Sequence, residues 1–590
     1  MLPSLRLLMP LVKAVCAAML CITALLCAQS RVSPSQDAHA KSLYAEGMSA
    51  AQKGNLAEAR VAFEKLVGIA PGSPEAHNSL GWVFLIQNEV DAAVAEFRSA
   101  IRLKPEFPQA HMNLANALAQ RRDFAEAETH ARESIRMAPK DSETHRTLGR
   151  VLSFRGDLQN AIAELREAVT LEPQRAELHD ELGSLLAQAS RLDEAANEFS
   201  EALRMHPDFS AAQLHLGVVR WQQKSLSQAH DLLTKALQAV PENAQAHYYL
   251  ARVLEDEQQP EQAIEELKKA TDLQAEFAEA WQRLGFLLQR SGDAQGAVAA
   301  FRRVVQLRPQ DADAHNNCGL ALIQSGNAAD SIREFELAIR IRPDDASYVE
   351  NLGTAYLQKT DFDSAIAQFL AALKLAPQDA IAHYDLGLAL KLKDRLDDSV
   401  AEFRKAAELA PDQPDVHYTL GVTLWQMGTF AEAENELRAA TTAKPDYSEA
   451  YYTLGTVLKQ DGKLDEAASA LRRAIALDPG LVGAHTNLAA ILRQQGDTAG
   501  ADAESAQART LFKQSNSLQA ATFNTNSGVK LLGAGDLDGA ISQFRSAIDL
   551  LPDYAPAHRH LAEALQRKGQ KAEAEQEFQK AAELLRSNTR

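Results

Sequence analysis

Residues 110–143 read AHMNLANALAQRRDFAEAETHARESIRMAPKDSE, and residues 144–177 read THRTLGRVLSFRGDLQNAIAELREAVTLEPQRAE. Each stretch opens with apolar residues at helical spacing, as in Ala110-His111-Met112-Asn113-Leu114-Ala115. Each has a small residue (Ala115, Gly149), then an alanine 12 residues on (Ala127, Ala161) and a proline near its end (Pro139, Pro173). Working outward, glycine or alanine recurs at 47, 81, 115, 149, 183, 217, 251, 285, 319, 353, 387, 421, 455 and 489, every step being 34 residues. Gly528 and Ala562 hold the same place in two more repeats, and the step of 39 from 489 to 528 puts five inserted residues near 516–520. A fixed period of this length is the signature of a repeat architecture.

The other marks keep fixed offsets. Twelve residues after the small residue stands alanine, or serine at Ser331 and Ser399. Four further on is usually a large apolar residue, such as Phe63, Phe97, Phe199, Phe301, Phe335 or Phe403. Proline ends 13 of the 16 repeats. The small residue lets two helices of one repeat approach closely. Mid-repeat glycines (Gly54, Gly156, Gly292, Gly428, Gly462) permit the turn between them. Proline lacks an amide hydrogen and stops the second helix. One helical hairpin cannot bury its apolar stripe alone, whereas stacked hairpins can, which is how a 590-residue chain avoids splitting into several globular domains.

This pattern resembles the tetratricopeptide repeat, over about residues 40–588. The resemblance implies an all-α fold, a right-handed α-solenoid (superhelix) of about 16 helical hairpins that binds proteins or peptides in a concave groove. It is similar to the arrays of exported bacterial proteins of this class and of O-linked N-acetylglucosamine transferases. In the latter a glycosyltransferase domain follows the repeats. Here the repeats run on to the last residues, and the chain is expected to be no enzyme.

The ends read differently. Residues 1–30 combine Arg6 and Lys13, the apolar run Ala14 to Ala28, and small residues around Ala28-Gln29-Ser30, the three-part pattern of a secretory signal peptide. An uncleaved anchor in the inner membrane is the alternative, because the preceding Leu-rich stretch lengthens the span. Residues 31–39 are expected to be a loose polar leader, 40–515 fourteen repeats, 516–520 an insertion and kink, and 521–590 two final repeats and a cap. Three of the four cysteines lie within 1–30, so cleavage would leave Cys318 alone, without an intrachain disulfide partner. The net charge of −18 argues against nucleic acid as a partner and against anionic lipid except through that first segment. Oligomeric state is not legible.

No nucleotide-binding or nucleophile motif is present, and no cofactor is expected. Ten histidines (His77, His111, His145, His179, His247, His315, His383, His417, His485, His558) recur four residues before the small residue. They stand one per helix, without a second ligand at metal-binding spacing, which predicts a packing role. Cys318 sits beside Gly319 and is expected to be a buried small hydrophobe.

In the resembled family the first helix lines the groove. Two places before the small residue then become candidate contacts: Tyr248, Tyr384, Tyr418 and Tyr452 at one, Asn113, Asn317, Asn351 and Asn487 at the next. Tyrosines supply contact area at low entropic cost, and amides hydrogen-bond a peptide backbone whatever its sequence. The sharpest cluster is Asn113, Asn116, Arg146 and Arg150, two amides beside two guanidinium groups, suited to a carboxylate such as a peptide C-terminus. The competing reading has these arginines bridged to Glu or Asp. The family's chaperone-tail clamp needs a lysine that no repeat has at the required place, so that function is not carried over. The expected role is a non-catalytic scaffold of the envelope or exterior. The alternative is a membrane-anchored, non-catalytic subunit of an export or polysaccharide-assembly complex.

Overall fold

The computed structural model describes residues 34–587, so residues 1–30, expected to be an export signal, and their three cysteines lie outside the described residues. Among the described residues there are 31 helices and no strand. Two compact halves divide the repeats, one ending at Leu307 and the other beginning at Arg308. Each half holds eight repeats of two antiparallel helices. No described helix is long and apolar enough to cross a membrane.

Within a repeat, the small residue and the large apolar residue sixteen places on are in contact. A Cβ built on Gly319 would lie 2.5 Å from Phe335 Cε1, and one on Gly217 would lie 2.9 Å from Leu233 Cγ. Only glycine leaves that ring room, which is why phenylalanine faces glycine in nearly every repeat that has it. Where alanine takes the small place the partner is mostly slighter, as in Ala115 with Ala131 or Ala251 with Leu267.

All sixteen turns between the two helices pass through one residue with positive φ, seven places after the small residue. Nine are glycine; the others are Asn88, Arg122, Ser190, Lys224, Gln258, Thr360 and Asp394, at φ of 59–69°. Glycine there is convenient rather than required.

The histidines tie each hairpin together. Every one of the ten directs Nε2 at the carbonyl of the residue six before it, proline in each case, at 2.8–3.3 Å. That carbonyl lies just past the end of the preceding helix, where backbone acceptors lack intrahelical partners. In nine, Nδ1 lies 2.5–2.7 Å from a glutamate of the second helix nineteen places on. In the tenth, His111 Nδ1 meets His130 Nδ1 at 2.9 Å. Gln213 and Trp281, which replace histidine, donate to the same carbonyl at 2.8 and 3.0 Å. Cys318 is buried.

Two expectations need correction. The leader is not loose from Pro34 onward, because the first helix already runs Pro34–Gln52. Proline suits a first helical turn, and Asp37 pairs with Lys41 one turn on at 2.8 Å. The inserted residues 516–520 also do not separate two elements: residues Thr498–Gly533 form one helix of 36 residues. No glycine or proline occurs from 501 to 527, and Lys513 stands where thirteen other repeats have proline, so nothing interrupts the hydrogen-bond ladder. Fusing the second helix of repeat 14 with the first of repeat 15 turns 32 helices into 31.

Candidate protein-binding face

The first helices of neighbouring repeats carry polar side chains that meet mostly at a sequence separation of 35, and at 31 for Asn116 with Thr147 and Asn487 with Thr456. In the first half, Asn113 donates from Nδ2 to Asn78 Oδ1 at 3.0 Å, and both residues are buried. Asn116 donates to Thr147 Oγ1 at 3.5 Å. Arg146 is buried, its Nε 2.9 Å from Glu181 Oε2, its Nη2 on Glu181 Oε1, and its Nη1 3.2 Å from Glu143 Oε1. Arg175 in turn pairs with Glu143. Burial works against the Arg146 charge, and the two carboxylates more than offset it, so the guanidinium is held above its ordinary value. Glu181 is pushed up by burial and pulled below the usual carboxylate range by Arg146, with Arg150 and Arg175 adding to it. Of the four expected cluster residues, Asn113 turns to Asn78 and Asn116 to Thr147, and Arg146 is already bridged to two glutamates. Arg146 could take an incoming carboxylate only by giving these up.

The separation of 35 also joins Asp180 and His215 at 2.8 Å; burial lowers the imidazole, but the facing Asp180 carboxylate raises it above its ordinary value. Tyr248 belongs to an aromatic cluster that its sequence position does not reveal. Its ring centroid lies 5.0 Å from Phe277 and 5.2 Å from Tyr249, and the Arg252 guanidinium sits 4.8 Å over Trp221.

In the second half, Asn351 donates to Asn316 Oδ1 at 2.9 Å, and Tyr384 OH and Thr419 Oγ1 share a hydrogen bond of 3.1 Å. Asn487 donates to Thr456 Oγ1 at 3.1 Å and accepts from Lys459 Nζ at 3.0 Å. Tyr418 lies 5.1 Å from the Tyr447 ring. Tyr452 reaches over Gly483, where an added Cβ would come within 2.6 Å of its hydroxyl. Asn317 is half-buried. Tyr384, Tyr418 and Tyr452 stand half-buried on three successive first helices. One pair at this separation is unlike the rest: Glu350 and Asp385 are both acids. Burial, and then Asp379 and Asp385, push Glu350 up to about 7; burial, and then Asp379, push Asp385 up to about 6.

The glutamate partners of the histidines were missed by sequence reading, although a signal was there. Glutamate stands nineteen residues after the histidine in nine of the ten repeats that have it, and in none of the six that do not. Among the described residues no group of three or more His, Cys, Asp or Glu could hold a metal ion.

Family comparison finds tetratricopeptide-repeat models matching residues 44–142, 146–229, 283–346, 351–414 and 418–509, with a second such model at 220–284 and 531–590. No curated protein matches the chain. Among solved structures, the hetero-tetramer Cut9–Hcn1 of APC/C is 15% identical, with 89% of this chain and 96% of that one covered and a TM-score of 0.36. Yeast Tom70 is 18% identical over 72% of this chain and 96% of its own, at a TM-score of 0.35. YrrB, described as having an unusual peptide-binding site, is 26% identical over 31% of this chain and 95% of its own, at 0.28. With its repeat matched across well over half of the sequence, the chain belongs to the tetratricopeptide-repeat family.

Proposed function

We propose that this chain is a non-catalytic scaffold, exported to the cell envelope or exterior, that binds a peptide segment or protein surface along its first helices. The observation that carries the reading is the run Tyr384, Tyr418 and Tyr452, half-buried at one place in three successive repeats. Two of the rings are anchored, Tyr384 on Phe403 at 5.5 Å and Tyr418 on Tyr447, and all three remain only half-buried. A row of pre-positioned aromatic rings loses little entropy on binding. The neighbouring asparagines pair with one another or with threonine, and keep acceptor capacity for a peptide backbone. Export is supported by the signal-like segment 1–30 alone. A second reading keeps that segment as an anchor for a non-catalytic subunit of an export or polysaccharide-assembly complex, favoured by the Leu-rich stretch before Ala14.

Affinity capture of the tagged chain 31–590 from a lysate of its own organism tests the proposal. One or two reproducible partners should be lost from the variant Tyr384→Ala/Tyr418→Ala/Tyr452→Ala. Identical capture by the variant would remove the tyrosine face from consideration. The N-terminal mass of the native protein separates the two readings, since loss of residues 1–30 opposes an anchor.

A further inference from the structure

At intact junctions, the residue five before the small residue of a first helix is sealed by the preceding repeat: Ala110, Ala212, Ala246, Ala280 and Ala450 are 0% exposed. Ala110 packs with Ala100, Ala212 with Ala202, and Ala557 with Ala547, each partner lying in the preceding repeat's second helix. In repeat 15 this place is Phe523, which is 74% exposed. The alanine that should cover it, Ala508, lies fifteen residues away in the same helix, roughly 22 Å along its axis. The continuous helix Thr498–Gly533 has removed the cover that every comparable face has.

The uncovered surface has a chemistry unlike the rest of the chain. Phe512, on the same side of the helix as Phe523, is 58% exposed. Between Glu504 and Asp536 there is no acidic residue, in a chain of net charge −18, while Arg509, Lys513 and Lys530 are all exposed and, among the described residues, none is in an ion pair. At about 100° per residue, Phe512 and Phe523 point within roughly 20° of each other, and the three cations lie within about 100° on that side. An exposed aromatic pair bordered by cations is an amphipathic docking face.

We propose that the middle of this helix docks a helix of a partner protein that carries an apolar stripe with an acidic border. A helix is what covers the equivalent face at the intact junctions, and the acid-free, cationic border selects a negative partner. A second copy would oppose the same three cations, and the strongly acidic chain repels an anionic bilayer. The inference is independent of the tyrosine face.

The test uses the full chain and two fluorescein-labelled synthetic helices of 20 residues. Both have one leucine–alanine stripe; the polar positions are glutamate in one and lysine in the other. The glutamate helix should bind at least tenfold tighter by fluorescence anisotropy, and more weakly as salt rises. Phe512→Asp/Phe523→Asp should abolish this binding with helicity unchanged, because both side chains are exposed. Lys513→Glu should weaken it severalfold, and Tyr384→Ala/Tyr418→Ala/Tyr452→Ala should leave it intact. No binding, equal binding of the two helices, or binding that survives Phe512→Asp/Phe523→Asp would overturn the proposal. So would a sedimenting dimer, or adsorption to phosphatidylglycerol vesicles, lost in that variant, since each names a different occupant.

Discussion

His417 places Nδ1 2.6 Å from Glu436 Oε2 and Nε2 2.9 Å from the Pro411 carbonyl oxygen, so both ring nitrogens face acceptors. A doubly protonated ring satisfies both. The hydrogen bond to Glu436 raises the imidazole above its ordinary value, against the opposing effect of burial and with help from the Pro411 carbonyl. The folded state thus holds its proton more tightly than the unfolded state. Stability from this pair is fully present below the unfolded value near 6.5, and is lost as pH rises through the folded value. An NMR titration should find His417 titrating above 6.5, and His417→Gln should flatten that part of the stability–pH curve. At His111 and His130 burial dominates and lowers both, and two facing Nδ1 atoms accommodate one bridging hydrogen.

The Gly319–Phe335 contact predicts a reversible overpacking. Gly319→Ala puts a methyl group 2.5 Å from the ring and should cost about 1–3 kcal/mol, read as a lower midpoint in thermal unfolding. Adding Phe335→Leu recreates the pairing of Ala251 with Leu267 found elsewhere in the chain, and should recover much of the loss. If the double variant is no better than the single one, the contact does not set the choice of glycine.

Thr360 is the β-branched member of the turn series, at φ 62°. Left-handed backbone costs an ordinary residue about 1–2 kcal/mol, and branching adds to it. Thr360→Gly should stabilise the hairpin by about 0.5–1 kcal/mol after glycine's own entropy is set against it, measured by local hydrogen exchange.

Glu350 and Asp385 set the opposite charge logic to an ion pair. Both acids are raised on folding, to about 7 and about 6, so the folded state again binds more protons than the unfolded one. Their stabilising effect is complete below about pH 4 and is lost as pH rises through 6 to 7. Discounted for partial solvent screening, the loss is on the order of 1–2 kcal/mol for the pair. Glu350→Gln/Asp385→Asn should raise the melting temperature at pH 8 and leave it unchanged at pH 4. An equal effect at both values would refute the shared burial.

The repeat period, the turn positions and the packing of histidine were legible because each recurs at a fixed offset, and repetition turns weak local preferences into a strong signal. The histidine–glutamate pairing carried a signal too, since glutamate follows nineteen places after histidine in nine of ten repeats and in none of the six without histidine. What the 34-residue pattern could not convey is how neighbouring helices use their surfaces. Arg146 reads as an available cation, yet Glu181, 35 residues away, occupies it, because only stacking of first helices brings those places together. Tyr248 reads as one of a row, and the structure puts it among Phe277, Tyr249 and Arg252. Near residue 515 the sequence determined that no breaker was present. Tertiary structure decided the consequence, because a helix that runs through a junction takes away the surface its own next turn was built to meet, and leaves Phe523 in solvent.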